Sequence, residues 1–145
     1  MASDRELDEL DQLFMQLARQ VWSAVREKGV GGFSLIQLSV LKCLSTGQTR
    51  AHDLSTRLSV SPAAITKIVD NLCERGLITR TRSLEDRRSA VLAITPAGRE
   101  GLERSRRMRN RTLRTLLVTL SPEDIVVLKR FLRRSVEILP GAWQD

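Results

Sequence analysis

The sequence has no tyrosine, three phenylalanines and two tryptophans, so aromatic residues make up only 3% of it. Any core must therefore be built from Leu, Val, Ile and Ala, which suits packed helices. The same shortage removes the aromatic platforms on which single-stranded bases stack, and it argues against an RNA-binding protein. Cysteine is scarce as well. Cys43 and Cys73 lie thirty residues apart, and there is one histidine, His52. That set cannot form an ordinary structural zinc site, and in a reducing compartment both thiols are expected to be free. No Walker loop, nucleophile elbow or paired catalytic motif is present, so an enzyme is not expected, and neither is a cofactor or a metal. The opening segment MASDRELDELDQ is acidic and lacks an apolar core, unlike a secretory signal. No apolar stretch approaches the length of a membrane span. The expectation is a cytoplasmic protein with no membrane partner.

Positive charge is what the chain has in excess. The formal net charge is +7 and the sequence pI is about 10.6. Only Lys28, Lys42, Lys67 and Lys129 are lysines, so 24 basic residues less these 4 leaves 20 arginines. Arginine forks match phosphates and guanine edges bidentately, which fits a nucleic-acid partner. A codon-composition habit of the source genome would produce the same bias. At 145 residues the chain reads as one domain, small enough for a second chain to share its core.

Apolar spacing divides the chain into helices. From Asp4 to about Lys28, Leu7, Leu10, Phe14, Leu17, Val21 and Ala24 recur at alternating steps of three and four, an a/d seam on one long helix. Gly29, Gly31 and Gly32 stop it. No strand precedes these glycines and no Gly-Lys-Ser/Thr comes after them, so they form a loop between helices and not a phosphate cradle. Ser34 caps a second helix, Leu35 to Leu44, and a third runs from about Arg50 to Leu58. Ser61-Pro62 starts a fourth, with serine as N-cap and proline at the first helical position, and Gly76 closes it. Thr95-Pro96 repeats the device for a fifth helix to about Val118. Ser121-Pro122 does so again for a sixth, to about Leu139, which Pro140-Gly141 is expected to end.

Two of these segments carry the functional signal. Arg50–Arg75 reads as helix-turn-helix. In its second helix Ala64, Ile65, Ile68, Val69 and Leu72 face inward, while Ser61, Pro62, Ala63, Thr66, Lys67, Asp70 and Asn71 face outward. A recognition helix reads base edges with its N-terminal residues. Pro62 and Ala63 permit close approach and methyl contact with thymine, Thr66 and Lys67 can reach a base or a phosphate, and Asn71 extends the same face. The alternative is an ordinary helical hairpin. The adjoining segment Leu77–Gly98 tips the balance, because it reads as strand, charged turn, strand and helix start. Arg80 and Arg82 lie on the first strand and Glu85-Asp86-Arg87-Arg88 at the tip. An arginine-tipped ribbon fits a minor groove, where negative potential is concentrated. The fold expected is mainly α: a winged helix-turn-helix with a two-stranded β-wing, flanked by long N- and C-terminal helices.

At these residues the chain resembles the MarR family, the multiple-antibiotic-resistance-type winged-helix regulators. The matching segments are Leu72-Cys73-Glu74-Arg75-Gly76-Leu77-Ile78, Asp86-Arg87-Arg88, and Leu92-Ala93-Ile94-Thr95-Pro96-Ala97-Gly98. The resemblance covers nearly the whole chain. It implies one domain over 1–145, with a DNA-binding lobe at about 34–98 and dimerisation helices at about 4–28 and 99–139. It implies a homodimer bound to a pseudo-palindromic double-stranded operator, with half-sites roughly 10 bp apart. It implies a wing arginine, Arg87 or Arg88, in the minor groove, and Asp86 holding the wing in shape.

The resemblance also implies a repressor released by a small ligand, often aromatic or phenolic, in a cleft near Phe14, Trp22, Phe33, Leu38 and His52. Core packing explains the apolar members of that set equally well, and phosphate contact or solvation explains His52. Within the same fold, a thiol-switched regulator would use Cys43 or Cys73. Against it, neither lies near the start of the first helix and tyrosine is absent, unlike the peroxide-sensing branch. A lowered pKa beside Arg75 would favour Cys73. A non-specific basic architectural protein is the remaining alternative, and it would show no sequence preference.

Overall fold

The computed structural model describes residues 3–82 and 90–142; the side chains at 22, 24–28, 82 and 139–142 lie outside the described set. Among the described residues six helices and three strands run in the order α1 (Asp4–Lys28), α2 (Leu35–Ser45), β1 (Thr49–Arg50), α3 (Ala51–Leu58), α4 (Pro62–Glu74), β2 (Ile78–Arg82), β3 (Ala90–Ile94), α5 (Pro96–Leu117) and α6 (Pro122–Ala142). Among the described residues no helix is long and apolar enough to cross a membrane.

Local chemistry sets the helix starts. Ser34 and Gln37 form a capping box: the Gln37 amide donates to Ser34 Oγ at 3.3 Å, and the Ser34 amide to Gln37 Oε1 at 2.9 Å. The Ala64 amide donates to Ser61 Oγ at 3.3 Å, with Pro62 at the first position of α4. The Gly98 amide donates to Thr95 Oγ1 at 3.0 Å at the head of α5. Ser121 and Asp124 satisfy each other's amides at 3.1 Å before α6. Each cap occupies a donor that the first helical turn would leave orphaned. After α3 the chain turns through Ser59, at φ 51°, a left-handed conformation.

The sheet has three strands in the order β1-β3-β2, all antiparallel. The expected two-stranded wing is β2 paired with β3, in register from Ile78 opposite Ile94 to Arg82 opposite Ala90. The sequence reading missed β1, which pairs Thr49 with Leu92 and Arg50 with Val91. Two polar residues carry no periodicity, so only the free edge of β3 makes them a strand.

One core lies under α2, α3, α4 and the sheet. Val40, Leu41, Leu44, Leu54, Ile65, Val69, Leu72, Ile78 and Leu92 are buried there, and Phe33, Leu38 and Leu77 complete the cluster. The first half of helix α5 packs through small residues: Gly98, Gly101 and Ser105 are its buried positions. The Phe33 ring lies over Gly101, where a Cβ would meet its edge. Ser105 Oγ donates to the Val30 carbonyl at 2.9 Å.

The chain divides into two compact units, Met1–Met108 and Arg109–Asp145. The boundary falls inside α5 and not at its start, because the first half of that helix carries all of its buried positions. In the second unit Leu113, Leu117 and Ile125 line an open groove beside Asn110 and Arg114. Helix α6 runs on to Ala142 and does not end at Pro140-Gly141, where the sequence places its stop. Proline deletes one backbone donor and strains the turn before it. Here only the helix's last residues lie beyond it, so little regular structure is at stake.

Candidate nucleic-acid interface

The interface is built from α4 outward. Ile65, Val69 and Leu72 are buried along one side of the helix, with Ala64 and Ile68 half-buried beside them. Spacing at 3.6 residues per turn then forces Ser61, Pro62, Ala63, Thr66, Lys67, Asp70 and Asn71 onto the other side, and all seven are exposed. The structure thus gathers the expected α4 contacts on a single face. Prolyl and alanyl side chains at its N-terminal end keep that end narrow enough for close approach to a groove.

Hydrogen bonding sorts these residues. Thr66 Oγ1 donates back to the Pro62 carbonyl at 2.9 Å, so its hydroxyl meets an incoming group as an acceptor. Lys67 extends from the same face. Asn71 also has an intramolecular partner: its Oδ1 accepts from Gln37 Nε2 at 3.0 Å, which ties α4 to α2. On the other flank Asp70 Oδ1 receives Arg80 Nη2 at 3.0 Å, which ties α4 to β2. The two bonds bracket the helix, and sequence reasoning assigned neither. Contacts 34 and 10 residues apart leave no periodic trace.

Below α4, Arg75 anchors the loop ahead of α2. Its Nη2 donates to the Gly32 carbonyl at 3.1 Å, and its guanidinium lies 4.7 Å from the centre of the Phe33 ring. At the far end of the wing, Thr95 Oγ1 donates to the Gly76 carbonyl at 2.8 Å and the Thr95 amide to the Leu77 carbonyl at 3.0 Å. This corner brings Gly98 so close to the Leu77 carbonyl that a Cβ there would collide with it. The wing thereby leaves α4 at a set angle. The side chain of Arg82, together with Asp86, Arg87 and Arg88, lies outside the described residues.

Two residues of the expected ligand cleft sit in the core. Phe33 and Leu38 are 1% and 6% exposed and belong to the closed core. Gly101 and Arg75 lie against the Phe33 ring. Phe14 on α1 and His52 on α3 are exposed and outside that core, and the Trp22 side chain is among those not described. Cys43 and Cys73 are free and half-buried against the core. The expectation of an activated Cys73 is also corrected. Burial pushes its thiol above the ordinary range, nearby Arg80 offsets this in part, and Asp70 adds to it.

The MarR family profile matches residues 33–90, the stretch from the head of α2 to the start of β3. An uncharacterized HTH-type transcriptional regulator of Mycobacterium leprae is 30% identical over 129 residues, which is 88% of either chain. This chain belongs to the MarR family. The HTH-type transcriptional repressor MdtR of Bacillus subtilis is 31% identical over 98 residues. That alignment takes in 68% of this chain and 61% of the repressor, so the chain spans about three fifths of this relative's length. A probable transcriptional regulator of Pseudomonas aeruginosa, solved as a crystal structure, superposes with a TM-score of 0.66 at 29% identity, covering 88% of this chain and 98% of that one. The shared fold is the winged helix-turn-helix.

Proposed function

We propose that this MarR-family chain is a sequence-specific double-stranded DNA-binding transcriptional regulator, acting as a homodimeric repressor. The observation that carries the reading is the face of α4. Ser61, Pro62, Ala63, Thr66 and Lys67 stand exposed together at its N-terminal half while the opposite side is sealed in the core. In this reading α4 enters the major groove and the wing reaches the adjacent minor groove with Arg82, Arg87 or Arg88, supported by Asp86. A two-fold dimer would place two such lobes on half-sites about one helical turn apart. The large apolar side chains exposed on α1, α5 and α6 support a dimer, because a lone chain leaves them in water. The repressor sign is favoured by the name of the Bacillus relative.

Release by a small aromatic or phenolic molecule belongs to the same proposal. Phe14, Trp22 and His52 remain the candidate contacts, since Phe33 and Leu38 are occupied by core packing. The test is fluorescence anisotropy with the duplex upstream of the protein's own gene and a scrambled duplex, at physiological salt. A preference of about a thousandfold or more supports a specific regulator. Equal, salt-sensitive binding to both that duplex and genome-selected fragments overturns it in favour of a non-specific architectural protein.

A further inference from the structure

A chain of hydrogen bonds that starts at a backbone group tells the two ends of the Asn71 amide apart. The Ser34 amide at the head of α2 can only donate, and it donates to Gln37 Oε1 at 2.9 Å. The Gln37 oxygen therefore faces Ser34 and its nitrogen faces away. That nitrogen, Nε2, donates to Asn71 Oδ1 at 3.0 Å. The Asn71 oxygen thus points back toward α2, and Nδ2 is the end left for an incoming group. Gln37 is well placed to hold this order. It is half-buried, and the capping box secures it a second time through its own amide, which donates to Ser34 Oγ at 3.3 Å. Asn71 in turn follows Ala63 and Lys67 along one exposed row of α4, at steps of four residues.

We propose that Gln37 is a positioning residue that sets the polarity of Asn71, so that Asn71 meets DNA as a hydrogen-bond donor and selects against cytosine at one position of each half-site. The proposal rests on the reading of α4 as a recognition helix and deepens it by naming a base preference. In the major groove guanine offers N7 and O6 as acceptors, adenine offers N7 and thymine offers O4, whereas cytosine offers only its N4 amino donor. An asparagine free to turn over serves as donor or acceptor, and so discriminates little between these edges. Anchoring by Gln37 removes that freedom. A cytosine facing Asn71 then sets one amino group against another and leaves both unpaired. Thr66 shows the opposite polarity on the same face, because its hydroxyl hydrogen is committed to the Pro62 carbonyl. Local hydrogen bonds thus give α4 an acceptor at Thr66 and a donor at Asn71.

The test is selection from a random duplex library, followed by anisotropy on single-base variants of the selected duplex. The unmodified protein is expected to disfavour cytosine at one position per half-site by about fivefold or more, and Asn71→Ala to lose that preference there and nowhere else. Gln37→Glu decides the role of Gln37. Glutamate keeps the capping box, since its carboxylate still accepts from the Ser34 amide. Its second oxygen, however, accepts where Nε2 donated. Asn71 then turns Nδ2 inward and Oδ1 outward, toward the amino group of cytosine or adenine. The ratio of affinities for cytosine and guanine at that position is expected to move toward cytosine by about fivefold or more. The added negative charge weakens binding to every duplex alike and leaves this ratio untouched. A Gln37→Glu protein with lower affinity but an unchanged ratio overturns the proposal, and so does an Asn71→Ala protein that keeps the original preference. A library from which the unmodified protein enriches no sequence instead overturns the sequence-specific reading itself. Should circular dichroism show that Gln37→Glu does not fold, Asn71→Asp leaves α2 intact and presents an oxygen outward. It is expected to favour cytosine at the same position, and an unchanged preference overturns the proposal.

Discussion

Arg80 on the wing strand β2 holds Asp70 on α4, with Nη2 and Oδ1 3.0 Å apart. The pair links the two elements that would touch DNA, and it is substantially exposed, with side chains 41% and 50% accessible. Exposed ion pairs contribute about 1 kcal/mol or less to stability. Its consequence should therefore lie in positioning. A double-mutant cycle with Arg80→Ala and Asp70→Ala, read by chemical denaturation, is expected to give a coupling below about 1 kcal/mol. Operator affinity of Arg80→Ala is expected to fall several-fold, beyond what loss of one surface cation does to a scrambled duplex. A proportional loss on both duplexes would reduce Arg80 to a phosphate contact.

What could be read from the sequence, and what could not, divides along physical lines. Ser34, Ser61, Thr95 and Ser121 announce helix starts because capping is local chemistry, and each forms the hydrogen bond its position requires. The exposed face of α4 comes from a period of 3.6 residues. Strand β1 was hidden because its reason for existing is the edge of β3. Phe33 resembled a ligand contact because nothing in its neighbourhood of sequence reveals Gly101 beneath it. Small residues on α5 were overlooked since burial of glycine and serine leaves no apolar stripe. The brackets Gln37–Asn71 and Asp70–Arg80 join residues whose partnership only the fold creates.

Lys67 tests whether α4 reads bases. It shares its face with Ala63, one turn nearer the N-terminus, and no described acid pairs with it. Lys67→Ala is expected to weaken operator binding by about 1–3 kcal/mol and to leave the scrambled duplex much less affected. Affinities at several salt concentrations check this. Equal weakening on both duplexes, with a salt slope smaller by about one, would assign the side chain to a phosphate.

Gly98 is held by crowding and not by unusual dihedral angles. A Cβ at this position would run into the Leu77 carbonyl backbone and the Ile94 side chain. The backbone cannot yield without disturbing the Thr95 corner, where the Thr95 amide and hydroxyl bind Leu77 and Gly76. Gly98→Ala is therefore expected to destabilise the protein by about 1–3 kcal/mol or more, the range for overpacking a filled site. Ser105→Ala, which removes only the hydrogen bond to the Val30 carbonyl, is expected to lose about 1 kcal/mol. Thermal unfolding of both variants ranks them, and the reverse order would contradict the crowding argument.

Cys73 carries the pH prediction. Burial disfavours the thiolate and lifts the thiol pKa, Arg80 opposes this, and Asp70 reinforces it. The folded pKa thus exceeds the unfolded one. The corresponding stability is fully present below the ordinary thiol pKa and is lost as pH rises through the higher folded value. In a Cys43→Ala background, alkylation of Cys73 by iodoacetamide is expected to be slower at neutral pH than that of a cysteine peptide. Its midpoint should lie on the alkaline side of the peptide's. Adding Arg80→Ala removes the opposing cation and should move the midpoint further up. Because the thiolate is the form that peroxide attacks, operator binding is expected to survive mild peroxide and to be the same in a Cys43→Ala, Cys73→Ala variant. Loss of binding under peroxide, restored by a reductant and absent from that variant, would instead establish a thiol switch.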